Sequence, residues 1–354
     1  MGHNAANARQ VWASCALALL LAGCSAPQAI QLTPAPASSL LPLADVTSQP
    51  LAATVTSPGA GLSGRLLLVR SGAVWLWEGE QGRQIIGGGD PLAQPTWAPD
   101  GAALAAVQRE QSFSNIVLAP AAGGELRPLT VNGTSEPPDS VARVYASIWA
   151  AYPQFVPDGS AVVFISQSDP PLGDPPAERN LGLYRVTASG GQRELLWASD
   201  TANVGRPAVS PDGASVVFAA APLNPGEPDR LLRYPMSGGD AAPIDGVPEQ
   251  SYDPTFSPDG RLLAFASRSS DRTDIFAVAA GGGQLIRLTD SGMARAPAFS
   301  PDGKHLAFLA VAPGESSFDL YIIDFGADGV TPAQTRRITT GMSFDADSGV
   351  SWGK

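Results

Sequence analysis

Five aspartates occur within the same tripeptide, Pro-Asp-Gly, and repeated carboxylates could bind a divalent metal or act as general acids and bases. The five prolines lie at positions 99, 157, 211, 258 and 301. The same residues also fit a type I turn, because proline presets φ at its second position and glycine accepts positive φ at its fourth. Carboxylates so far apart in a repeating chain do not converge on one ligand. We therefore predict structural turns at Asp100, Gly101, Asp158, Gly159, Asp212, Gly213, Asp259, Gly260, Asp302 and Gly303.

Other residues that could carry catalysis are sparse. Beyond residues 1–23 the sequence has one histidine, His305, which lies beside Lys304 at the start of a predicted strand. We expect it at the surface and not beside a nucleophile. The sequence has no Gly-x-Ser-x-Gly motif and no histidine cluster suited to a metal. It therefore predicts no catalytic residue, no metal site and no cofactor.

The tripeptides belong to a longer repeat of short strands. One complete unit contains four strand-like segments: PTFS (254–257), LLAFAS (262–267), DIFAVAA (274–280) and QLIRLT (284–289). Glycine-rich turns such as SGG and GGG separate the third strand from the fourth. Repeats of roughly 40–50 residues that contain four strands are typical of propeller blades.

The two ends of the repeat complete each other. Five units begin with a Pro-Asp-Gly strand, and three strands precede them without a first strand of their own. The terminal sequence GVSWGK aligns with a first strand, with Trp352 at the position of Phe256 and Phe299. We therefore predict an all-β fold, a six-bladed β-propeller of four-stranded antiparallel blades. Its C-terminal strand joins the N-terminal blade and closes the ring.

The repeated pattern P-x-F-S-P-D-G, followed by an apolar strand ending in Ala-Phe, resembles the TolB-type, WD-like six-bladed propeller family. The resemblance covers residues 64–354. It implies the propeller fold and a role in cell-envelope assembly or scaffolding, and it names no partner. Propellers host many functions, so the fold alone assigns none.

Strand order separates the two faces of the predicted disc. One face carries the Pro-Asp-Gly and glycine turns, and the other, the loop face, carries every long insertion. First strands line the central channel. The residues at one aligned position of the six first strands should therefore form a ring around the channel mouth on the loop face. The first-strand alignment gives Gln94, Tyr152, Arg206, Asp253, Ala296 and Gly349, and the flanking residues Tyr252, Arg295, Asp345 and Asp347 lie close by. These residues could form a small polar pocket or an ordinary solvated rim.

Two insertions, residues 131–151 and 168–180, flank the predicted third blade on the loop face. The first contains Tyr145 and Trp149, and both residue types are favoured anchors at protein interfaces. These side chains could either contact a partner or pack the insertion against the propeller.

The N-terminus has the features of an exported lipoprotein. Residues 1–23 contain the apolar run VWASCALALLLAG, which is short for a membrane span and suits a signal peptide. Leu21-Ala22-Gly23-Cys24 resembles a bacterial lipobox and predicts lipidation of Cys24; the alternative is an ordinary signal peptide with an incidental cysteine. Residues 24–61, rich in Ala, Pro, Ser and Thr, are predicted to be a flexible tether, followed by the propeller at 62–354.

Charge narrows the possible partners. The formal net charge is -11, which argues against nucleic acid and against electrostatic docking on anionic lipid. We expect an extracytoplasmic domain, held at the membrane by its N-terminal lipid, that binds a protein, peptide or envelope component without catalysis. The alternatives are a carbohydrate-active enzyme with carboxylates at the channel mouth, and a sensor that holds a small anion with Arg206 and Arg295.

Overall fold

The computed structural model describes residues 54–56, 62–137, 139–167 and 181–354. The signal peptide, Cys24, most of the predicted tether and the insertion 168–180 lie outside these described residues. The strands of the described chain form six antiparallel sheets, one per blade, which confirms the predicted six-bladed propeller.

Strand bounds follow the repeat. The first blade contains β1 (Thr54–Thr56), β2 (Leu62–Arg70), β3 (Ala73–Gly79) and β4 (Gln81–Ile86). The second contains β5 (Leu92–Trp97), β6 (Ala103–Arg109), β7 (Ser114–Pro120) and β8 (Arg127–Pro128). A short helix, α1 (Val141–Ala146), precedes the third blade, which contains β9 (Ala150–Phe155), β10 (Ala161–Gln167), β11 (Leu181–Thr187) and β12 (Glu194–Trp197).

The remaining blades repeat the plan. The fourth contains β13 (Ala202–Val209), β14 (Ser215–Pro222), β15 (Arg230–Pro235) and β16 (Ala242–Pro243). The fifth contains β17 (Ser251–Phe256), β18 (Leu262–Ser269), β19 (Arg272–Ala279) and β20 (Ile286–Arg287). The sixth contains β21 (Ala294–Phe299), β22 (His305–Val311), β23 (Phe318–Phe325) and β24 (Pro332–Arg337), and the chain ends with β25 (Ser351–Gly353). Among the described residues, no helix is long and apolar enough to cross a membrane.

The first blade is built from both ends of the domain. Strand β25 pairs antiparallel with β2, with Leu66 opposite Trp352, as the alignment of GVSWGK predicts. The indole of Trp352 also donates to the Ser63 carbonyl at 2.9 Å. Strand β1 pairs with β4 at the other edge of this blade, although Thr54–Thr56 fall within the predicted tether. These three residues therefore extend the sheet, because their backbone groups pair with the edge strand.

The core lies between the blades. The second strand of four blades places a fully buried phenylalanine at equivalent positions: Phe164, Phe218, Phe265 and Phe308. These strands are apolar on both sides because each blade packs against two neighbours, so their sequences lack the polar alternation of a half-exposed strand. The packing of the blades against one another fixes the positions of the first strands, which carry the candidate site.

The Pro-Asp-Gly aspartates lie in turns at the ends of the first strands. In the sixth blade, Asp302 Oδ1 accepts from the Ser300 hydroxyl at 2.6 Å and from the Lys304 amide at 3.1 Å. Gly303 takes a φ of 70° and its amide donates to the Ser300 carbonyl. The polar groups of the serine, aspartate and glycine are thus hydrogen-bonded within the turn itself. In the fifth blade, the Ser257 hydroxyl and the Arg261 amide lower the pKa of Asp259 to about 2.

Candidate functional site

The first strands surround a central cavity of about 340 Å³, which they line together with β25. Each first strand of blades two to six has a register shift against its second strand, typical of a β-bulge. At the aligned channel-mouth position, the backbone takes a positive φ in Gln94, Tyr152, Asp253 and Ala296. Gly349 does so before β25. The bulge recurs at the same place in the first strands of blades two to six, although Arg206 in the fourth blade lacks the positive φ, so the sequence alignment identifies structurally equivalent positions in these blades.

Asp253 is the centre of a charged network on the loop-face side of this cavity. Its side chain is buried, and its two oxygens accept from Arg206 Nε and Arg295 Nε, each at 3.0 Å. The Ala296 amide donates to the same carboxylate at 3.2 Å. Burial raises the pKa of Asp253, but the two guanidiniums outweigh it and hold this pKa below its usual range. Asp253 is therefore an ionised carboxylate that accepts three hydrogen bonds.

Arg206 joins two blades across the central cavity. From β13 of the fourth blade, its Nη2 donates to the Asp347 carbonyl at 2.5 Å and its Nη1 to the Ser348 carbonyl at 3.4 Å. Both carbonyls belong to the loop that leads into β25 of the first blade. A Cβ on Gly349 would lie 2.2 Å from Arg206 Nη1, so only glycine leaves room for this guanidinium.

The last loop contributes both of its predicted aspartates in different ways. The exposed carboxylate of Asp347 accepts from Arg295 Nη1 at 2.6 Å. Asp345 instead shapes its own loop, because its carboxylate accepts from the Asp347 amide at 3.0 Å and from the Ser348 hydroxyl at 2.7 Å. Asp347 therefore completes the network, whereas Asp345 orients the segment that carries it.

The predicted tyrosines stack on the two arginines. The Arg206 guanidinium lies 4.6 Å from the ring centre of Tyr152, and that of Arg295 lies 5.4 Å from the ring centre of Tyr252. Burial raises the pKa of the Tyr152 hydroxyl. Gln94 Oε1 accepts from the Tyr152 backbone amide at 2.7 Å, which fixes the bulge of the third blade. The structure thus brings Gln94, Tyr152, Arg206, Tyr252, Asp253, Arg295 and Asp347 into one connected set.

The chemistry of this set is that of a closed structural network. Both arginines already pair with carboxylates or carbonyls, so a small anion would compete with Asp253 and Asp347 for them. A general acid needs a carboxyl that holds its proton near neutral pH, and the lowered pKa of Asp253 opposes that role. Across the described ranges, no group of three or more His, Cys, Asp or Glu residues is arranged to hold a metal.

The two aromatic residues of the first insertion differ in exposure. Trp149 is half-buried, its amide donates to Gln167 Oε1 at 2.9 Å, and its carbonyl accepts from the Ser166 hydroxyl at 3.0 Å. Tyr145 lies on α1 and is 47% exposed. Trp149 therefore attaches the insertion to β10, whereas the Tyr145 side chain is about half exposed.

Residue-type reasoning overlooked three valines in the same insertion. Val131, Val141 and Val144 are 87%, 72% and 50% exposed. Together with Tyr145 we call them the insertion patch. On α1, Val141, Val144 and Tyr145 have the i, i+3, i+4 spacing of one helical face. The sequence VARVYA, preceded by the N-cap Ser140, already contains that spacing.

Two buried aspartates also went unrecognised in the sequence. Asp319 is fully buried and accepts from Arg337 Nη2, the Thr339 hydroxyl and the amides of Gly341 and Met342 at 2.7–3.0 Å. Asp274 has the equivalent partners in the fifth blade. The segments RLTDSG (287–292) and RITTGM (337–342) supply these donors. Each aspartate ties the end of one blade to the connection that follows it.

His305 is more enclosed than the sequence suggests. Its Nδ1 lies 2.7 Å from Asp324 Oδ1, and its ring stacks on Trp352 with 6.2 Å between ring centres. Arg336 Nε donates to the other oxygen of Asp324 at 2.8 Å. The histidine is therefore held in a structural contact between the sixth blade and the terminal strand.

Comparison with known proteins supports the fold and leaves the function open. No family model matches the chain. A segment of 105 residues is 30% identical to the uncharacterised peptidase YuxL of Bacillus subtilis (strain 168), covering 28% of this chain and 16% of that protein. The chain thus spans about a sixth of the length of that curated relative.

Solved structures give the clearest likeness. The chain matches TolB from Acinetobacter baumannii with a TM-score of 0.61 and 20% identity, covering 84% of this chain and 68% of the other. It matches a protein described as TolB from Agrobacterium tumefaciens with a TM-score of 0.55 and 16% identity, covering 80% and 92%. A chain of a nidogen/laminin complex matches with a TM-score of 0.54 and 11% identity, covering 82% and 98%. The protein is a six-bladed β-propeller with the TolB-like fold.

Proposed function

We propose that this protein is a lipid-anchored, non-catalytic binding protein of the cell envelope, whose propeller binds a protein partner through the insertion patch. The observation that carries the proposal is the exposure of Val131, Val141, Val144 and Tyr145 on one loop-face insertion. Val141, Val144 and Tyr145 share one face of α1, and apolar side chains grouped on an exposed surface mark interaction sites more often than isolated ones do.

The way in which α1 is attached supports this function. Arg143 points toward the second blade, where its Nε donates to the Ser112 hydroxyl at 2.7 Å and its guanidinium lies 5.9 Å from the ring centre of Phe113. Its Nη1 donates to the Glu136 carbonyl at 2.9 Å. Polar bonds therefore hold the helix, and none of its residues is buried. A helix that is fixed in place and presents its valines outward is pre-organised for a partner.

The comparisons add support of a general kind. Two of the solved structures with this fold are described as TolB, and another belongs to a nidogen/laminin complex, so the same architecture occurs in a protein–protein assembly. For this chain, the lipobox-like Leu21–Cys24 sequence supports an anchor at the membrane, and the long Ala/Pro-rich segment after it supports a tether. The paired state of Asp253 gives the carbohydrate-enzyme alternative less support.

The test is a capture experiment from the native envelope with the full-length chain. The bait is compared with the double variant Val141→Ser/Val144→Ser. Leu195→Ser serves as the matched control, because Leu195 is 53% exposed on the outer strand of the third blade. Burying two exposed valines is worth about 2 kcal/mol, or roughly 30-fold in affinity.

We expect one partner to be recovered by the native and Leu195→Ser baits and lost from the double variant, whose melting temperature stays unchanged. The recovered partner, once purified, must bind the native chain about 30-fold more tightly than the double variant. Equal binding of the purified partner to both chains would show that the insertion patch is not the docking surface.

A further inference from the structure

A second pocket lies on the loop face, between the fifth and sixth blades. Its volume is about 390 Å³, and its walls include Tyr252, Arg268, Thr273, Met293, Arg295 and Phe318. We call it the blade 5–6 pocket. Its walls come from β17, the hairpin that joins β18 to β19, the connection to β21 and the start of β23. The blade 5–6 pocket and the insertion patch belong to different blades. A ligand of this pocket is therefore independent of the proposed function.

The apolar part of this pocket is held in place. The Tyr252 hydroxyl donates to the Thr273 hydroxyl at 3.3 Å, and the Arg295 guanidinium stacks against the Tyr252 ring. Met293 is partly exposed, and Phe318 is half-buried beside the core of the first and sixth blades. A concave site with a fixed aromatic wall and a flexible thioether suits an aromatic or aliphatic group.

The two arginines of the pocket differ in their availability. Arg295 already pairs with Asp253 and Asp347. Arg268 is exposed, and within the described part of the chain no carboxylate lies within 4.0 Å of its guanidinium. Its electrostatic effect reaches Asp229, whose pKa is nonetheless raised because burial outweighs the charge of Arg268. Arg268 is therefore the cation that can pair with a ligand.

Charge balance limits what this ligand can be. Asp271 lines the pocket on the same β18–β19 hairpin as Arg268, and the backbone amide of Arg268 is fixed on the Gln250 carbonyl at 3.0 Å. Arg295 is paired with Asp253 and Asp347, so Arg268 is the pocket arginine left to pair with a ligand, and the carboxyl groups of Asp271 and Asp229 are the acids that act on it. A singly charged carboxylate can pair with Arg268, whereas a dianionic phosphate would keep a further, unpaired negative charge close to Asp271.

We infer that the blade 5–6 pocket binds a single carboxylate carried on an aromatic or aliphatic body, with Arg268 pairing with the carboxylate and Tyr252, Met293 and Phe318 enclosing the apolar part. A free organic acid and the C-terminal residue of a peptide share this chemistry.

The test uses the full-length chain with its methionine methyl groups labelled with carbon-13. Met293 is assigned from the variant Met293→Leu. The probes are N-acetylphenylalanine, its neutral amide, and the peptide Ala-Ala-Phe with a free or an amidated C-terminus. Arg268→Gln removes the proposed anchor. Arg230→Gln is the matched control, because Arg230 is an exposed arginine that pairs with Glu249 on the neighbouring blade.

We expect the Met293 methyl signal to shift saturably with the free acids and at least tenfold more weakly with the amides. Arg268→Gln should weaken the binding of the free acids by a similar factor, and Arg230→Gln should leave their binding unchanged. At least tenfold tighter binding of free Ala-Ala-Phe than of N-acetylphenylalanine identifies a peptide C-terminus as the ligand, and the reverse identifies a small acid. An unmoved Met293 signal, or equal binding of acid and amide, would overturn the inference.

Discussion

Replacing Asp253 with alanine should destabilise the propeller more than any change at an exposed ion pair, because the buried carboxylate of Asp253 pairs with two arginines. Removing one partner of a buried ion pair costs about 3–5 kcal/mol. Arg206 keeps two carbonyl acceptors and Arg295 keeps Asp347, so the lower end applies. We therefore expect a loss of about 3 kcal/mol, or about 6 °C in melting temperature for a domain of this size.

The assay is urea denaturation at neutral pH, with Asp347→Asn as the matched control. Asp347 contacts Arg295 from the exposed side of the same network, and an exposed ion pair contributes about 0.2–1 kcal/mol. Asp253→Asn should fall between the two variants, because its amide oxygen still accepts from one guanidinium. If Asp253→Ala costs no more than Asp347→Asn, the network does not hold the blades together and the reasoning is refuted.

The pH dependence gives a second reading of the same interaction. The pKa of Asp253 is lower in the folded chain than its ordinary value of 3.8, so its ionised form stabilises the fold above that value. This contribution is lost as the pH falls below 3.8 through the folded-state pKa. The stability difference between the native chain and Asp253→Ala should therefore be full at pH 7 and shrink below about pH 4. A difference that grows on acidification would contradict the sign of the pKa shift.

Two further predictions concern the ends of the chain. Deleting residues 349–354 removes the first strand of the first blade and its contacts with β2, so the melting temperature should fall by roughly 10 °C; an unchanged melting curve would refute closure of the ring. Cys24→Ala should abolish metabolic labelling by a radioactive fatty acid and move the protein from the membrane fraction to the soluble one; retained labelling would exclude Cys24 as the lipidated residue.

The sequence predicts the architecture well because each blade repeats the same turn and apolar strand. The Pro-Asp-Gly tripeptides, the buried Phe265 and Phe308 and the pairing of Trp352 all follow from alignment of the units. The alignment also locates the channel-mouth positions of blades two to six, because the bulge occurs at the same place in these first strands.

The interactions within the site do not follow from the repeat. Arg206 contacts Asp347, which lies 141 positions later in the chain, and the closed ring brings the two residues together. The exposure of the α1 side chains also cannot be predicted from the repeat, because the apolar face of a helix usually packs against the core. The known preference for Tyr and Trp at protein interfaces therefore selected Trp149, which the fold attaches to β10. The same criterion did not select the exposed Val141. The contribution of Thr54–Thr56 to the first blade also depends on a free sheet edge that the sequence does not reveal.

The most direct test of the proposed function is site-specific photo-crosslinking in the native cell. A photoreactive amino acid is placed at Val144 in one full-length chain and at Leu195 in another, since both positions are about half exposed but lie on different parts of the third-blade region. We predict a discrete crosslinked protein from position 144 and none from position 195. Crosslinks of equal yield from both positions, or a partner captured only from position 195, would contradict binding through the insertion patch.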